Sequence, residues 1–244
     1  MAGNYTYLLV DLGCILVPFI ASFHPKLSFY KKFYPHVILA LLGMMLLFIP
    51  WDIAFTKAGV WSFNETYLTG HRFLDLPLEE WFFFICIPFA CLFTYACVRL
   101  FFPSINQLRV GWYLALGLVV LFLIVAFTHI NQAYTFSAHF LCALLLIYHV
   151  YKRSAWLTSF FLMYAFVFPA FIASNGILTG LEFWQYNFIL TDPTVVTDQI
   201  VWYNNEENLG IRIFSVPIDD ISYGMLMLLM NVSVYEWVSR RQTT

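Results

Sequence analysis

Two pairs of adjacent acidic residues stand just before long apolar segments of this sequence. The tetrapeptide PLEE at 77–80 leads into WFFFICIPFACLFTYACV, and PIDD at 217–220 leads into ISYGMLMLLMNVSVYEWV. Carboxyl groups that lie close together cannot all ionise, so one keeps a proton beside an ionised neighbour. A neutral acid next to a carboxylate base suits general acid–base catalysis. The predicted catalytic residues are the four acids of these motifs, Glu79, Glu80, Asp219 and Asp220.

An ordinary helix start is the alternative interpretation of each motif. Proline is favoured at the first helical position, and acids in the first turn suit the helix dipole. Both motifs also carry an arginine five residues before the proline, and this duplication favours a functional role. We expect Arg72 and Arg212 each to neutralise one carboxylate and fix its position, with a simple surface arginine as the alternative.

The segments that follow these acids are apolar and long. Hydrophobic residues make up 61% of the 244 positions and charged residues only 11%, whereas about 25% of a soluble domain is charged. The predicted class is an all-α polytopic membrane protein without a nucleic-acid partner. Seven segments have roughly the length needed to cross a bilayer, at 7–23, 36–55, 77–102, 110–129, 134–151, 156–175 and 217–238.

Lysine and arginine predict the orientation of these spans, because cytoplasmic loops are rich in both. Nine fall on one side of the membrane: Lys26, Lys31, Lys32, Arg99, Arg109, Lys152, Arg153, Arg240 and Arg241. Only Lys57, Arg72 and Arg212 fall on the other side. We expect an integral protein of a bacterial inner membrane, with the N-terminus outside and the C-terminus in the cytoplasm.

The outer ends of the spans then share one polar layer. A carboxylate inside a bilayer costs about 2.5–3.5 kcal/mol even on mild scales, so a cluster of them indicates a common purpose. Aromatic residues near this layer either form an interfacial belt or line a pocket that holds a long apolar ligand and a transient carbocation. The predicted positioning or pocket residues are Asp11, Asp52, Arg72, Asn175, Trp202, Asn204, Arg212 and Tyr223.

The two acidic motifs belong to a longer internal repeat. WSFNETYL at 61–68 resembles WYNNEENL at 202–209, and YTYLLVDLGCILVPFI at 5–20 resembles YTFSAHFLCALLLIYH at 134–149. We therefore predict a 3+1+3 plan of seven transmembrane helices, related as parallel repeats about an axis along the membrane normal. Its parts are a first repeat (1–105), a connecting helix (106–131) and a second repeat (132–244). Both acid pairs would converge on one site.

Metal and soluble-type cofactor sites are not indicated by the residue pattern. The sequence has no GxGxxG motif and no P-loop, and His139 and His149 are too far apart along one span to share a metal-binding turn. The five cysteines read as small apolar helix residues. No cofactor is evident, although a flavin requirement stays open. The segment 176–216 is interpreted as a lid or as a mobile excursion.

Several of these stretches together resemble the membrane-embedded lycopene cyclases. They are WDIAFTKAGVWSFN, RFLDLPLEEWFFF, SNGILTG and WYNNEENLGIRIFSVPIDDISYG, and the resemblance covers about residues 5–238. The halves of these enzymes are separate subunits in some bacteria and would be fused here. The resemblance implies that Glu79, Glu80, Asp219 and Asp220 are the family's acidic motif residues, although Asp-Asp stands where Glu-Asp is commoner.

The activity implied by the resemblance is closure of the linear ends of lycopene into β-ionone rings without net redox change. One motif would supply the acid and the other the base, with Glu80 or Asp220 as donor. Implied partners are lycopene or a related carotenoid and membrane lipid, with a homo-oligomer as an open possibility. Alternatives are a cyclase of longer C50 carotenoids and a 3+1+3 transporter, which the apolar middles of the spans disfavour. A retinal photoreceptor is excluded because the last lysine is Lys152.

Overall fold

The chain folds mostly into helices, and the computed structural model describes residues 5–241. The long helices are α1 (Thr6–Ala21), α2 (Ile38–Ala58), α3 (Leu78–Phe101), α4 (Val110–Thr128), α5 (Ala133–Tyr151), α6 (Leu157–Thr179) and α7 (Asp219–Arg241). Six of those in residues 5–241 are long and apolar enough to cross a membrane, α2 together with the helical turns before it. α1 is apolar but has only 16 residues. These six helices indicate a membrane protein.

The two central helices are α3 and α7, and each contacts helices from both ends of the chain. α1 packs along α3, and α5 packs along α7. α2 packs against α7, while α6 packs against α3. α4 lies against α5 and also contacts α6. The N-termini of α3 and α7, which carry the acidic motifs, are therefore enclosed by neighbouring helices.

Short strands join the loops at the acidic end of the helices, which the predicted all-α class omitted. β1 (Trp61–Phe63) pairs antiparallel with β5 (Val201–Tyr203), so that Trp61 faces Tyr203. Alternation along β5 buries its first and third residues and exposes Trp202, as the period of two in a strand requires. This ladder closes the acidic end with buried aromatic rings.

A small hairpin precedes each acidic helix. β2 (Arg72–Phe73) pairs with β3 (Leu76–Pro77), and β6 (Arg212–Ile213) pairs with β7 (Val216–Pro217). Gly70 and Gly210 precede these hairpins with φ of 80° and 68°, a conformation that glycine adopts without a steric penalty. The motif prolines therefore end strands and precede the helices, rather than occupying the first helical position that the alternative interpretation of the motifs assumed.

The segment 176–216 contains more regular structure than a lid or an excursion would need. α6 continues to Thr179, so Asn175 lies inside this helix rather than at its end. β4 (Ile189–Leu190) then pairs with β6 and makes the second hairpin three-stranded. On this additional strand Leu190 pairs with Arg212, which is 1% exposed.

Candidate active site

A cavity lies between the helices and beneath the β1–β5 ladder. Its volume is about 220 Å³, several times the roughly 30 Å³ that one water molecule occupies in the liquid. An organic group can therefore fit inside. The polar groups at its closed end are Tyr7, Asp52, Glu80, Tyr134, Asn175, Tyr203, Asp220 and Tyr223.

The rest of the cavity is long and apolar. Its lining extends along α3 from Glu80 to Thr94 and along α6 from Tyr164 to Leu178, which is about 21 Å in each helix at 1.5 Å per residue. The apolar lining includes Phe83, Ile87, Val167, Phe168, Phe171, Met227 and Leu228. The cavity is thus an apolar channel with a carboxyl-rich end.

Glu80 lies on one wall of that end, on the first turn of α3. The Tyr7 hydroxyl on α1 donates a hydrogen bond of 2.6 Å to Glu80 Oε2. Asp52 on α2 lies within hydrogen-bond reach of the Glu80 carboxyl group. Asp52 Oδ1 in turn accepts a hydrogen bond of 2.6 Å from Trp61 Nε1 on β1. Two buried carboxyl groups therefore meet here.

Asp220 lies on the other wall, on the first turn of α7. Its Oδ1 accepts a hydrogen bond of 2.5 Å from the Tyr134 hydroxyl on α5. Its Oδ2 accepts from Asn175 Nδ2 on α6 at 2.6 Å and from the Tyr203 hydroxyl on β5 at 3.2 Å. This carboxyl group is held entirely by hydrogen-bond donors, which stabilise an ionised acid.

The first acid of each motif lies outside the cavity lining and holds the preceding loop. Glu79 Oε1 accepts from the Thr69 amide at 2.6 Å, and Asp219 Oδ2 accepts from the Leu209 amide at 3.1 Å. Thr135 Oγ1 also donates to Asp219 Oδ1 at 2.6 Å. Adjacent helical residues point about 100° apart, so one acid of each motif lines the cavity and the other anchors a loop.

The two motif arginines differ in burial and in their hydrogen-bond partners. Arg72 is exposed and binds the Glu65 carboxylate and the Asp75 carbonyl rather than a motif acid. Arg212 is buried, and its guanidinium donates to the Ser215 carbonyl at 2.7 Å and to Asn205 Oδ1 at 3.0 Å. The expected direct bond from each arginine to a motif carboxylate is therefore absent from residues 5–241.

Arg212 still interacts electrostatically with Asp220, which lines the cavity. Burial lowers the pKa of Arg212, whereas attraction to Asp220 opposes that shift. Its guanidinium lies 5.9 Å from the centre of the Tyr203 ring. Burial, followed by repulsion from Asp220, raises the pKa of the Tyr203 phenol well above its usual value. Tyr203 is thus a neutral hydrogen-bond donor to Asp220.

The other predicted pocket residues divide into those near the cavity and those away from it. Tyr223 lines the cavity, and Asp11 is buried on α1 with neither carboxyl oxygen bonded to a donor in residues 5–241. Trp202 is 43% exposed on the outer side of β5. Asn204 Oδ1 accepts from the Glu206 amide in a turn. The structure therefore does not bring Trp202 and Asn204 into the cavity lining.

Aromatic rings surround the space between the two carboxyl walls. The Tyr223 ring centre lies 5.2 Å from that of Trp51 and 6.1 Å from that of Trp61. The Tyr134 ring stacks on Tyr203 at 5.8 Å and lies 5.9 Å from Tyr223. Ring faces attract cations within about 6 Å, so this end of the channel can hold a positively charged carbon.

A family model described as Lycopene cyclase matches residues 4–98 and 131–238. The chain belongs to the lycopene cyclase family. Membership implies an enzyme that acts on carotenoids, and it fits an apolar channel that ends at buried carboxyl groups. The match omits the stretch that contains α4.

One curated relative of this lycopene cyclase family member is a bifunctional lycopene cyclase/phytoene synthase from Pyrenophora tritici-repentis (strain Pt-1C-BFP). It is 34% identical over 88 residues, which cover 34% of this chain and 14% of that protein. The matched region is thus a small part of the relative's length. No solved structure was found to match the chain.

Sequence reasoning missed two tyrosines that hold the cavity acids, Tyr7 and Tyr134. A signal was present, since each lies in one of the similar stretches at 5–20 and 134–149. Aligned from their first letters, however, these stretches place Tyr5 opposite Tyr134. The hydrogen bonds instead make Tyr7 the counterpart of Tyr134, because each donates to the cavity acid of its own half. The correct alignment is therefore shifted by two residues.

Proposed function

We propose that this chain closes the linear ends of lycopene into β-ionone rings, giving monocyclic γ-carotene and then β-carotene. The observation that supports this function best is the channel end, where Glu80 and Asp220 from the two motifs line one cavity. Family membership supplies the substrate class. The apolar lining suits a hydrocarbon, which has no polar group to bind.

The proposed reaction is an isomerisation, so every atom and electron is retained. A carboxylic acid protonates the terminal double bond, and its π electrons form the new C–H bond. The resulting carbocation is attacked by a second double bond of the same chain, which closes the six-membered ring. A carboxylate then removes a ring proton, and the C–H electrons form the ring double bond.

The residues around the channel end would help this reaction in three ways. Buried carboxyl groups on both walls provide an acid and a base without a diffusing proton carrier. The rings of Trp61, Tyr134 and Tyr223 stabilise the carbocation through their faces. The β1–β5 ladder covers this end of the cavity, and exclusion of water prevents capture of the cation.

The proposed membrane arrangement has seven spans, with the N-terminus outside and α1–α3 related to α5–α7 by an axis along the membrane normal. Matched bonds support this repeat, because Tyr7 serves Glu80 as Tyr134 serves Asp220. The family match also has two parts, on either side of α4. We place the repeat boundaries at residues 105 and 131.

The test is to express the chain in cells that make lycopene and to separate their pigments by chromatography. We expect a colour change from red towards yellow-orange and the appearance of β-ring products. Glu80→Gln and Asp220→Asn should each abolish β-carotene at unchanged protein level. Lycopene that persists unchanged with well-expressed, membrane-inserted wild-type protein would refute the proposed activity.

A further inference from the structure

We propose that the two halves of the site have different proton roles: Glu80 and Asp52 together form the proton donor, and Asp220 is the proton acceptor. This inference rests on the proposed function and assigns its two steps. It follows from a difference between the two repeats. On α2 the neighbour of Glu80 is an acid, Asp52, whereas on the corresponding helix α6 the neighbour of Asp220 is an amide, Asn175.

Asp220 has the surroundings of a permanent base. Tyr134, Tyr203 and Asn175 direct three hydrogen-bond donors at its two oxygens. The Asn175 amide nitrogen is a donor at every pH, so it favours the ionised form of its partner. The buried charge of Arg212 attracts the same carboxylate. Each of these contacts would weaken if Asp220 carried the proton.

Glu80 has the surroundings of a proton donor. Its neighbour is Asp52, and the two carboxyl groups can hydrogen-bond to each other only if one of them is protonated. Tyr7 and Trp61 each donate to one oxygen of the pair, but Asp52 Oδ2 has no donor among residues 5–241. A shared proton is the group that satisfies this contact.

Charges near the donor pair act in the same direction. Ion pairs in the described part of the chain use Asp75, Glu65 and Glu236 rather than the cavity acids. The buried acid Asp11 lies close enough to Glu80 to repel its charge. Negative neighbours without a paired cation favour retention of a proton.

The two roles give a balanced cycle. Glu80 transfers its proton to the terminal alkene carbon, so the pair gains one negative charge. Asp220 takes a proton from the closed ring and becomes neutral. Exchange with water after product release returns a proton to the pair and removes one from Asp220, so a turnover changes nothing but the carotenoid.

The test compares the products that matched variants form from lycopene in membranes. Glu80→Gln should give no cyclic product of any kind, because the cation never forms. Asp220→Asn should still form the cation, which then loses a different ring proton or captures water. We expect ring isomers or a hydroxylated ring in place of the β-ring. Misplaced double bonds from Glu80→Gln, with none from Asp220→Asn, would overturn the assignment.

Two variants test the role of Asp52: one removes its carboxyl group, and the other keeps the carboxyl group on a longer side chain. Asp52→Asn should reduce cyclic products by about 100-fold or more, the lower range for loss of a general acid, and Asp52→Glu should restore a large part. A merely structural role would give the opposite order, because Asn keeps the size and Glu does not. Equal activity of Asp52→Asn and wild type would overturn the shared proton.

Infrared spectroscopy of the detergent-solubilised protein shows which acid carries the proton, even where variants are inactive. The carbonyl band of a protonated carboxyl group should lose intensity in Asp52→Asn and in Glu80→Gln but not in Asp220→Asn. Loss only in Asp220→Asn would reverse the roles. If the wild type forms no cyclic product at all, the proposed function itself fails, while the band pattern still reports where the proton lies.

Discussion

The Tyr134 hydroxyl donates a hydrogen bond of 2.5 Å to Asp220 Oδ1 from a helix 86 positions earlier in the chain. The tyrosine is 1% exposed, and its ring stacks on Tyr203. The phenol therefore has one fixed direction, towards the carboxyl group. This contact joins α5 to α7 at the channel end and holds the proposed base in place.

Replacement of Tyr134 by Phe removes this donor and leaves the ring. A hydrogen bond to a charged group contributes about 1.5–3 kcal/mol, so we expect lycopene conversion to slow by about 10- to 100-fold. Tyr7→Phe removes a bond to Glu80, the acid that carries the proton in the proposed scheme, where about 0.5–1.5 kcal/mol predicts a smaller loss. Conversion rates in membranes measure both.

The control for this pair is Tyr148→Phe, an exposed position on α5 that should convert lycopene at the wild-type rate. A larger loss from Tyr7→Phe than from Tyr134→Phe would contradict the proposed difference between a protonated Glu80 and an ionised Asp220.

Glu79 should matter for stability rather than for proton transfer. Glu79→Leu leaves the half-buried Thr69 amide without its acceptor, which costs about 1 kcal/mol, the lower end of the range for an unsatisfied buried donor, and should lower the thermal unfolding temperature. Glu79→Gln keeps an oxygen acceptor, so most of the stability and the activity should remain. Glu80→Gln should show the reverse pattern, with a normal unfolding temperature and at least about 100-fold slower conversion.

Thermal unfolding in detergent and lycopene conversion, measured on the same preparations, separate these two acids. An inactive Glu79→Gln protein with normal stability would show that Glu79 also takes part in the chemistry.

Gly224 on α7 should set how much of the channel is open. A Cβ added there lies 3.8 Å from Phe171 Cε2 and 4.0 Å from the Tyr164 hydroxyl, ordinary contact distances. Gly224→Ala should therefore be tolerated. Gly224→Leu places a branched side chain in the cavity, and conversion of lycopene should be blocked while the helices still form.

The control for the size of the added side chain is Gly117→Leu on α4, because nothing lies within 4 Å of a Cβ at that position. Both leucine variants are compared in conversion and in unfolding temperature. Full activity of Gly224→Leu would place the substrate elsewhere than in this channel.

The positions of the helices could be predicted from the sequence, because they depend on local patterns. Apolar runs of bilayer length predicted most helices to within a few residues. The two acidic motifs were identical in spacing, and their predicted convergence rests on topology alone. What a local pattern cannot contain is the rotation of one helix against another, which decides that Glu80 rather than Glu79 lines the cavity.

The arginines show where similarity of sequence is a poor guide to environment. Arg72 and Arg212 occupy the same place in the repeated motif, yet only Arg212 is buried. The cause lies about 20 positions earlier, where the longer second loop supplies β4 as a third strand beside β6. The first hairpin has two strands, so Arg72 faces solvent and binds Glu65.

A single carboxyl-rich end in the described channel has a consequence for the order of products. Lycopene has two equivalent ends, and one channel end can process only one of them at a time. In the proposed reaction, the monocyclic carotenoid must therefore leave, reverse and return before the second ring forms. We expect it to appear before β-carotene in a time course and to decline as β-carotene accumulates.

A pulse of isotope-labelled lycopene followed by excess unlabelled lycopene measures this release. Monocyclic product that leaves the channel competes with the unlabelled substrate, so label should persist in the monocyclic pool and reach β-carotene slowly. Asp220→Asn, which blocks β-ring formation in the proposed scheme, is the control for background conversion. Labelled β-carotene that forms without dilution by the chase would mean that both ends are cyclised in one binding event, and a second acid–base site or a paired copy of the chain would then be required.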